Sequence, residues 1–169
     1  TITATDQNGC TITDSISLGN PDSIYAQTTP VNVSCNGLNN GEVVINITGG
    51  ITPYSYSDDG GNTYQNSNVF DNLSIGTYNY LVTDFNGCLS SAFAEIIQPS
   101  PIISITNADS VSCYGNCDGE VFENISGGMP PYSYDWGGDT TNLCAGNYNL
   151  TITDANGCLA TNTAIVYEP

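Results

Sequence analysis

The sequence predicts an all-β chain of tandem β-sandwich repeats arranged head to tail, on three observations. Segments recur along the chain, short runs alternate apolar and polar residues between turn signals, and no stretch carries a helical period. The recurrence is the strongest of the three. Thr5-Asp6-Gln7-Asn8-Gly9-Cys10 returns as Thr83-Asp84-Phe85-Asn86-Gly87-Cys88 and as Thr153-Asp154-Ala155-Asn156-Gly157-Cys158, and each cysteine is followed eleven residues on by a proline, Pro21, Pro99 and Pro169. Upstream, Val33-Ser34-Cys35-Asn36-Gly37 matches Val111-Ser112-Cys113-Tyr114-Gly115, and Leu73-Ser74-Ile75-Gly76-Thr77-Tyr78 matches Leu143-Cys144-Ala145-Gly146-Asn147-Tyr148. The units are therefore residues 22–99 and 100–169, with an eight-residue insertion in the first between Tyr56 and Leu73. Residues 1–21 read as the C-terminal end, strands F and G, of a truncated preceding repeat, so the expectation is a piece of a longer array.

Within each unit the strands follow in order. Tyr78, Tyr80 and Val82 alternate with Asn79, Leu81 and Thr83, and Tyr148, Leu150 and Ile152 alternate with Asn149, Thr151 and Thr153, the period of a half-buried strand. The Asp-x-Asn-Gly that follows is a hairpin turn, because Asn-Gly readily takes positive φ. About seven short strands per unit, with Leu-x-x-Gly-x-Tyr before a long one, is the pattern of an immunoglobulin-like sandwich. Tyr78 and Tyr148 then form tyrosine corners at the start of strand F. Strand A is placed near 23–34, B at 42–48, C at 54–58, E at 68–73, F at 77–83 and G at 88–97. One residue resists: Glu123 stands where the first unit has Ile45, on an apolar face.

Composition limits what such a chain can do. There is no Lys, Arg or His among 169 residues, and 17 acidic residues give a net charge of −17. On the order of twenty cationic residues would be usual. No imidazole is present for general base work and no amine for a Schiff base, so an enzyme is disfavoured. Nucleic acid is excluded as a partner, since its phosphates need cations. No apolar run is long enough to insert into a membrane; no basic or apolar leader stretch is expected at the start either, since the chain reads as starting inside a folded unit. Hydrophobic residues at 39% and eleven Tyr argue for a packed core. Seven Cys in such a chain suggest an oxidising, extracellular setting. Zinc is disfavoured, because Cys113 and Cys117 stand without a C-x-x-C pair or any His.

The segments Gly49-Gly50-Ile51-Thr52-Pro53-Tyr54-Ser55-Tyr56 and Gly127-Gly128-Met129-Pro130-Pro131-Tyr132-Ser133-Tyr134, with Leu-x-x-Gly-x-Tyr and Thr-Asp-x-Asn-Gly-Cys, resemble the SprB repeat family of large cell-surface adhesins in gliding Bacteroidetes. The resemblance covers the whole chain, departing from the plainer pattern at the 57–72 insertion and at Cys117 and Cys144. It implies an outer-membrane-associated filament at the cell surface, exported by the type IX system and moved during gliding. Its partners would be neighbouring repeats of the same long chain, with the gliding and secretion machinery of the outer membrane engaged elsewhere in the protein. Asp14-Ser15-Ile16, Asp22-Ser23-Ile24, Asp109-Ser110-Val111 and Asp139-Thr140-Thr141 match the short acceptor motif for O-glycosylation of exported proteins in those bacteria, placing sugars on Ser15, Ser23, Ser110 and Thr140; plain turns and strand starts are the alternative.

Other candidate sites carry two readings each. Asp6, Asp84 and Asp154, with Asn86 and Asn156, could supply oxygen ligands to Ca²⁺, or form Asx turns that need no metal. No cofactor is required on either reading. Tyr54, Tyr56, Tyr132, Tyr134 and Trp136 could make a sugar-stacking platform, or fill the core as strand C aromatics do. Asp58 and Asp59 are adjacent carboxylates that a strand would point to opposite faces, unsuited to paired catalysis.

Topology orders the cysteines. In an immunoglobulin-like sandwich the A–B and E–F turns share the pole where the chain exits, and the B–C and F–G turns share the other. Cys117 and Cys144 then share a pole and can bond within 100–169. Cys35 and Cys88 lie at opposite poles, roughly 17–20 Å apart, too far for a disulfide. Head-to-tail stacking instead brings Cys35 to Cys158, leaving Cys10, Cys88 and Cys113 unpaired in this chain. The rival is Cys35–Cys88 and Cys113–Cys158 within repeats. The functional expectation is a non-catalytic stalk or spacer in an adhesin filament, with a glycan- or surface-binding module as the alternative.

Overall fold

The computed structural model describes residues 1–17, 19 and 22–169, and every regular element among them is a strand. Pro21, the first of the three period-marking prolines, lies outside the described residues. β1 (Ile2–Thr5) and β2 (Thr11–Asp14) form an exposed two-stranded hairpin. β3 (Tyr25–Val31), β4 (Gly41–Thr48) and β6 (Val69–Leu73) make one sheet, and β5 (Ser55–Ser57), β7 (Gly76–Thr83) and β8 (Leu89–Ile96) make the facing one. The second repeat repeats this plan: β9 (Ile103–Asp109), β10 (Gly119–Ser126) and β12 (Thr141–Leu143) face β11 (Ser133–Asp135), β13 (Gly146–Thr153) and β14 (Leu159–Val166). All pairings are antiparallel. The sheet orders A–B–E and C–F–G are those of an immunoglobulin-like sandwich.

Each sandwich has six strands rather than about seven. Between β5 and β6 the first repeat forms turns with one bridge, Tyr56 to Gln65. Asp59 organises that insertion, its carboxylate accepting from the Asn62 and Thr63 N–H groups and the Thr63 and Ser57 hydroxyls. The Thr63 N–H and hydroxyl, followed by the Ser57 hydroxyl, pull its carboxyl down to about 2. Asp59 is thus a loop residue, and Asp58 beside it is exposed.

Period-2 alternation fills the space between the sheets. Val43 and Ile45 of β4, Phe70 of β6, Tyr80 and Val82 of β7 and Ala94 and Ile96 of β8 are buried together, each fully buried aliphatic side chain contributing about 1.5–3 kcal/mol. The second core keeps the plan and exchanges the parts: Val121, Leu143, Leu150, Ile152, Ala164 and Val166 pack around Trp136. Ile45, Phe70 and Tyr80 of the first repeat align with Glu123, Thr140 and Leu150 of the second. Trp136 compensates for that lost volume, and its indole Nε1 donates to Glu123 Oε2 at 3.0 Å. The carboxylate on an apolar face is therefore the acceptor that a buried tryptophan N–H requires.

The core reading of the strand C aromatics divides. Tyr56 and Trp136 are buried and Tyr54 and Tyr132 partly so, but Tyr134 is exposed at 58%. Tyr56 is covered by the insertion, which pairs with it through Gln65. The second repeat lacks those eight residues, so Tyr134 has no cover.

Strands A and G close one side of each sandwich through side chains that reach the neighbouring backbone. Thr28 Oγ1 donates to Phe93 O at 2.6 Å, Thr106 Oγ1 to Thr163 O at 2.9 Å and Asn162 Nδ2 to Ser104 O at 2.7 Å. Such stitching engages one edge carbonyl in the first repeat and two in the second, while strand C, at three residues, is too short to recruit another chain.

Candidate functional site: the joint between repeats

The poles are built by two sequence motifs that lock into one another. In each Thr-Asp-x-Asn-Gly-Cys segment the aspartate N–H bonds the cysteine carbonyl and the glycine N–H bonds the aspartate carbonyl. This is a type I turn closed by glycine in a three-residue hairpin loop. Positive φ falls on Gly9, Gly87 and Gly157 alone, at 85°, 81° and 81°, and not on the asparagines as Asn-Gly hairpins would have it. Asp84 Oδ1 accepts from Asn86 and Cys88 N–H at 2.9 and 2.8 Å, and Oδ2 from Ile51 N–H at 3.0 Å. Asp154 makes the same bonds to Asn156, Cys158 and Met129, each at 2.9 Å. Asp6 keeps only the two local bonds.

The carboxylate's second oxygen explains the Gly-Gly-x-x-Pro-Tyr segment. Gly50 has φ +67°, and a β-carbon there would meet Asp84 Oδ2 at 3.2 Å. Only glycine lets this loop sit on the carboxylate. The tyrosine that ends the segment closes it: Tyr54 Oη donates to Gly49 O at 2.7 Å, and Tyr132 Oη bonds Gly127 O. The entry pole of each repeat is thus a B–C loop and an F–G turn fastened by one buried aspartate.

Burial would raise these carboxyls, but the N–H groups of Cys88, Ile51 and Asn86 outweigh it and hold Asp84 below the usual carboxylate range. Met129, Cys158 and Asn156 do the same for Asp154. A folded-state value below the unfolded one stabilises the fold above the unfolded carboxylate range, near about 4, and the contribution is lost as pH falls through the folded value. Urea midpoints measured from pH 7 to pH 2 are expected to fall across that acidic window. Asp154→Asn should lower the second repeat's midpoint at pH 7 and flatten its acid dependence. An unchanged acid slope in that variant would remove the aspartate from this role.

The exit pole carries the A–B turn. Ser34 N–H bonds Asn40 Oδ1 and Leu38 N–H bonds Cys35 O. In the second repeat Ser112 N–H bonds Asp118 Oδ1 and Asn116 N–H bonds Cys113 O. Tyr78 and Tyr148 sit at the same pole as tyrosine corners, their hydroxyls donating to Ser74 O at 3.0 Å and Cys144 O at 2.9 Å.

Between the repeats the exit pole of one meets the entry pole of the next. Cys35 is bonded to Cys158, with their Cα atoms 5.5 Å apart and 123 residues between them in sequence. Asn156 Nδ2 donates to Ser34 O at 2.9 Å across the same contact. The linker is fixed on the first repeat: Asn36 Nδ2 donates to Pro99 O and Gly37 N–H to Gln98 Oε1, at 3.0 and 2.9 Å. Cys117 and Cys144 form a second disulfide, tying the A–B turn to the E–F turn at the far exit pole. Cys10, Cys88 and Cys113 are free. These are the pairs selected by the pole argument, and neither Cys35–Cys88 nor Cys113–Cys158 occurs. The role of Asn156 was missed by sequence reasoning, which grouped it with oxygen ligands. Its recurrence in all three turns was the available signal, but the bond needs a neighbouring repeat to be visible.

The candidate calcium ligands are spread over three turns, with the described carboxylate oxygens of Asp84 and Asp154 occupied by N–H donors. Among the described residues no group of three or more His, Cys, Asp or Glu is placed to hold a metal. Of the acceptor-motif residues, Ser15, Ser23 and Ser110 are exposed and Thr140 is half-buried, its carbonyl accepting from Val121 N–H.

Fold and joint together define a class: tandem immunoglobulin-like β-sandwich repeats linked covalently from pole to pole. The SprB repeat family matches the chain twice, at residues 27–63 and 105–141, once in each sandwich. Each sandwich therefore contains a stretch similar to the SprB repeat. No curated protein matches it. A crystal structure of the N-terminal eight Ig domains of Down syndrome cell adhesion molecule, isoform 1.30.30, aligns with 87% of this chain at 15% identity and a TM-score of 0.37. The chain spans 24% of that molecule's length.

Proposed function

We propose that these repeats are non-catalytic stalk segments of a secreted cell-surface adhesin filament, of the kind that gliding bacteria export by the type IX route and move along the cell. The observation that carries the reading is the covalent joint, in which a disulfide and the Asn156–Ser34 hydrogen bond cross from one sandwich to the next. A module that only displayed a ligand site would need no such coupling, whereas a part that transmits load does. Disulfides need an oxidising compartment, which supports an extracellular location. A chain without Lys or Arg offers trypsin-like proteases no cleavage site, and its single-signed charge keeps neighbouring filaments apart. The proposal requires no cofactor, nucleic acid or membrane insertion, and its partners are neighbouring repeats.

The competing reading is a glycan-binding module. The exposed aromatic on strand C is Tyr134, so it is the residue to test. Glycan arrays probed with the chain, in calcium and again in EGTA, are expected to stay silent in both. Reproducible binding that Tyr134→Ala abolishes would replace the stalk reading with the module.

A further inference from the structure

One half of each of two further joints is already present in this chain. Asn86 and Cys88 stand on the first repeat's F–G turn as Asn156 and Cys158 stand on the second's, held by the same carboxylate bonds. Ser112 and Cys113 stand on the second repeat's A–B turn as Ser34 and Cys35 stand on the first's. The turn is fixed in the same way, by the Ser112–Asp118 and Asn116–Cys113 bonds. Both thiols are free, Cys113 is exposed and Cys88 is half-buried. The equivalent cysteines in the same molecule are bonded to each other, and the equivalent asparagine and serine are hydrogen-bonded. Each pole therefore offers a half-joint whose complement lies at the opposite end of the molecule.

We propose that the exit pole of the second repeat receives the entry pole of another repeat of this kind, in solution a second copy of this chain, closing a Cys113–Cys88 disulfide between them. The Asn86 side chain donates to the Ser112 carbonyl of the neighbour, as Asn156 does to Ser34. Such a contact is heterologous and does not close on itself, so it propagates as a linear assembly. The covalent step is thiol–disulfide exchange with a small-molecule disulfide as oxidant. One thiolate attacks oxidised glutathione and releases a glutathione thiol. The second thiolate then attacks that mixed disulfide, forming the Cys113–Cys88 bond and releasing the second glutathione thiol. Cys10 is the rival for Cys113, but its turn lacks the third bond, from a B–C loop, that anchors Asp84. Two chains of charge −17 repel, so the reaction needs salt near or above about 0.15 M to screen them.

The inference deepens the stalk reading and rests on it only for its biological setting, since the chemistry is that of the joint. The experiment incubates the chain with oxidised and reduced glutathione in such salt. Non-reducing electrophoresis then separates the products, and a protease that cuts at acidic or aromatic residues yields the linked peptides. The expected result is a ladder of dimers, trimers and longer species joined through Cys113 and Cys88. Cys113→Ser or Cys88→Ser should abolish the ladder and Cys10→Ser should leave it intact. Asn86→Ala should slow it by roughly two- to tenfold, the worth of one hydrogen bond. Failure to form multimers, Cys113–Cys113 linkage, or loss of the ladder in Cys10→Ser would each overturn the inference. None of these outcomes touches the Cys35–Cys158 joint on which the stalk reading depends.

Discussion

Pulled from its two ends, the oxidised chain is expected to extend only through the residues outside the Cys35–Cys158 bond. That bond short-circuits 123 residues of sequence, and at 3.3–3.6 Å per residue it withholds on the order of 400 Å of contour length from the applied force. Five of the six strands of each sandwich lie inside the protected loop, with β3 and β14 left outside it. Reduction, or Cys35→Ser, should release that length in two unfolding events, one per repeat. The same change affects equilibrium stability. With one sandwich folded, the bond closes a loop of roughly 65 residues in the unfolded other, about 4 kcal/mol in the chain-entropy account. Each repeat of Cys35→Ser should then melt more than about 10 °C lower. Single-molecule extension under oxidising and reducing conditions checks the first effect and calorimetry the second. Equal contour lengths in the two conditions would show that the joint bears no load.

Trp136→Ala is expected to unfold the second repeat and spare the first. Truncating a buried aromatic costs about 3–5 kcal/mol, and here it also leaves the half-buried Glu123 carboxylate without its donor. A small sandwich has little more than that to lose. Circular dichroism against denaturant should show one normal transition and one shifted to very low denaturant. Glu123→Gln keeps an acceptor for the indole and should move the second transition far less. A single unshifted transition in Trp136→Ala would mean that the tryptophan is not a core element. This result also governs how ligand tests are read: lost binding in Trp136→Ala would report unfolding, which is why Tyr134 is the informative position.

Much of this architecture is legible in the chain because it depends on near neighbours. The F and G strands show their period in Tyr78 to Thr83 and Tyr148 to Thr153, and the turn between them is written in consecutive residues. The tyrosine corners span four residues in sequence, Ser74 to Tyr78 and Cys144 to Tyr148. The cysteine pairs follow from the poles once the strand order is known. What could not be read depends on distant partners. Asp84 looks like any Asx turn until Ile51, 33 residues away, is seen on its second oxygen. Glu123 looks misplaced without Trp136, which occupies the register of Asp58 in the other repeat. Tyr134 reads as core because strand C aromatics usually are, and Tyr56 follows that rule, yet the cover over Tyr56 belongs to an insertion that only the first repeat carries. Repeat alignment transfers a residue's position and not its surroundings.

Neighbouring repeats are joined covalently from pole to pole, and peptide mapping reads out that joint. The oxidised chain is alkylated without reduction and digested with a protease that cuts at acidic or aromatic residues, since no basic residue is available. One linked peptide pair containing Cys35 and Cys158 is expected, and a second containing Cys117 and Cys144. A peptide linking Cys35 to Cys88, or Cys113 to Cys158, would place the bonds within repeats and contradict it.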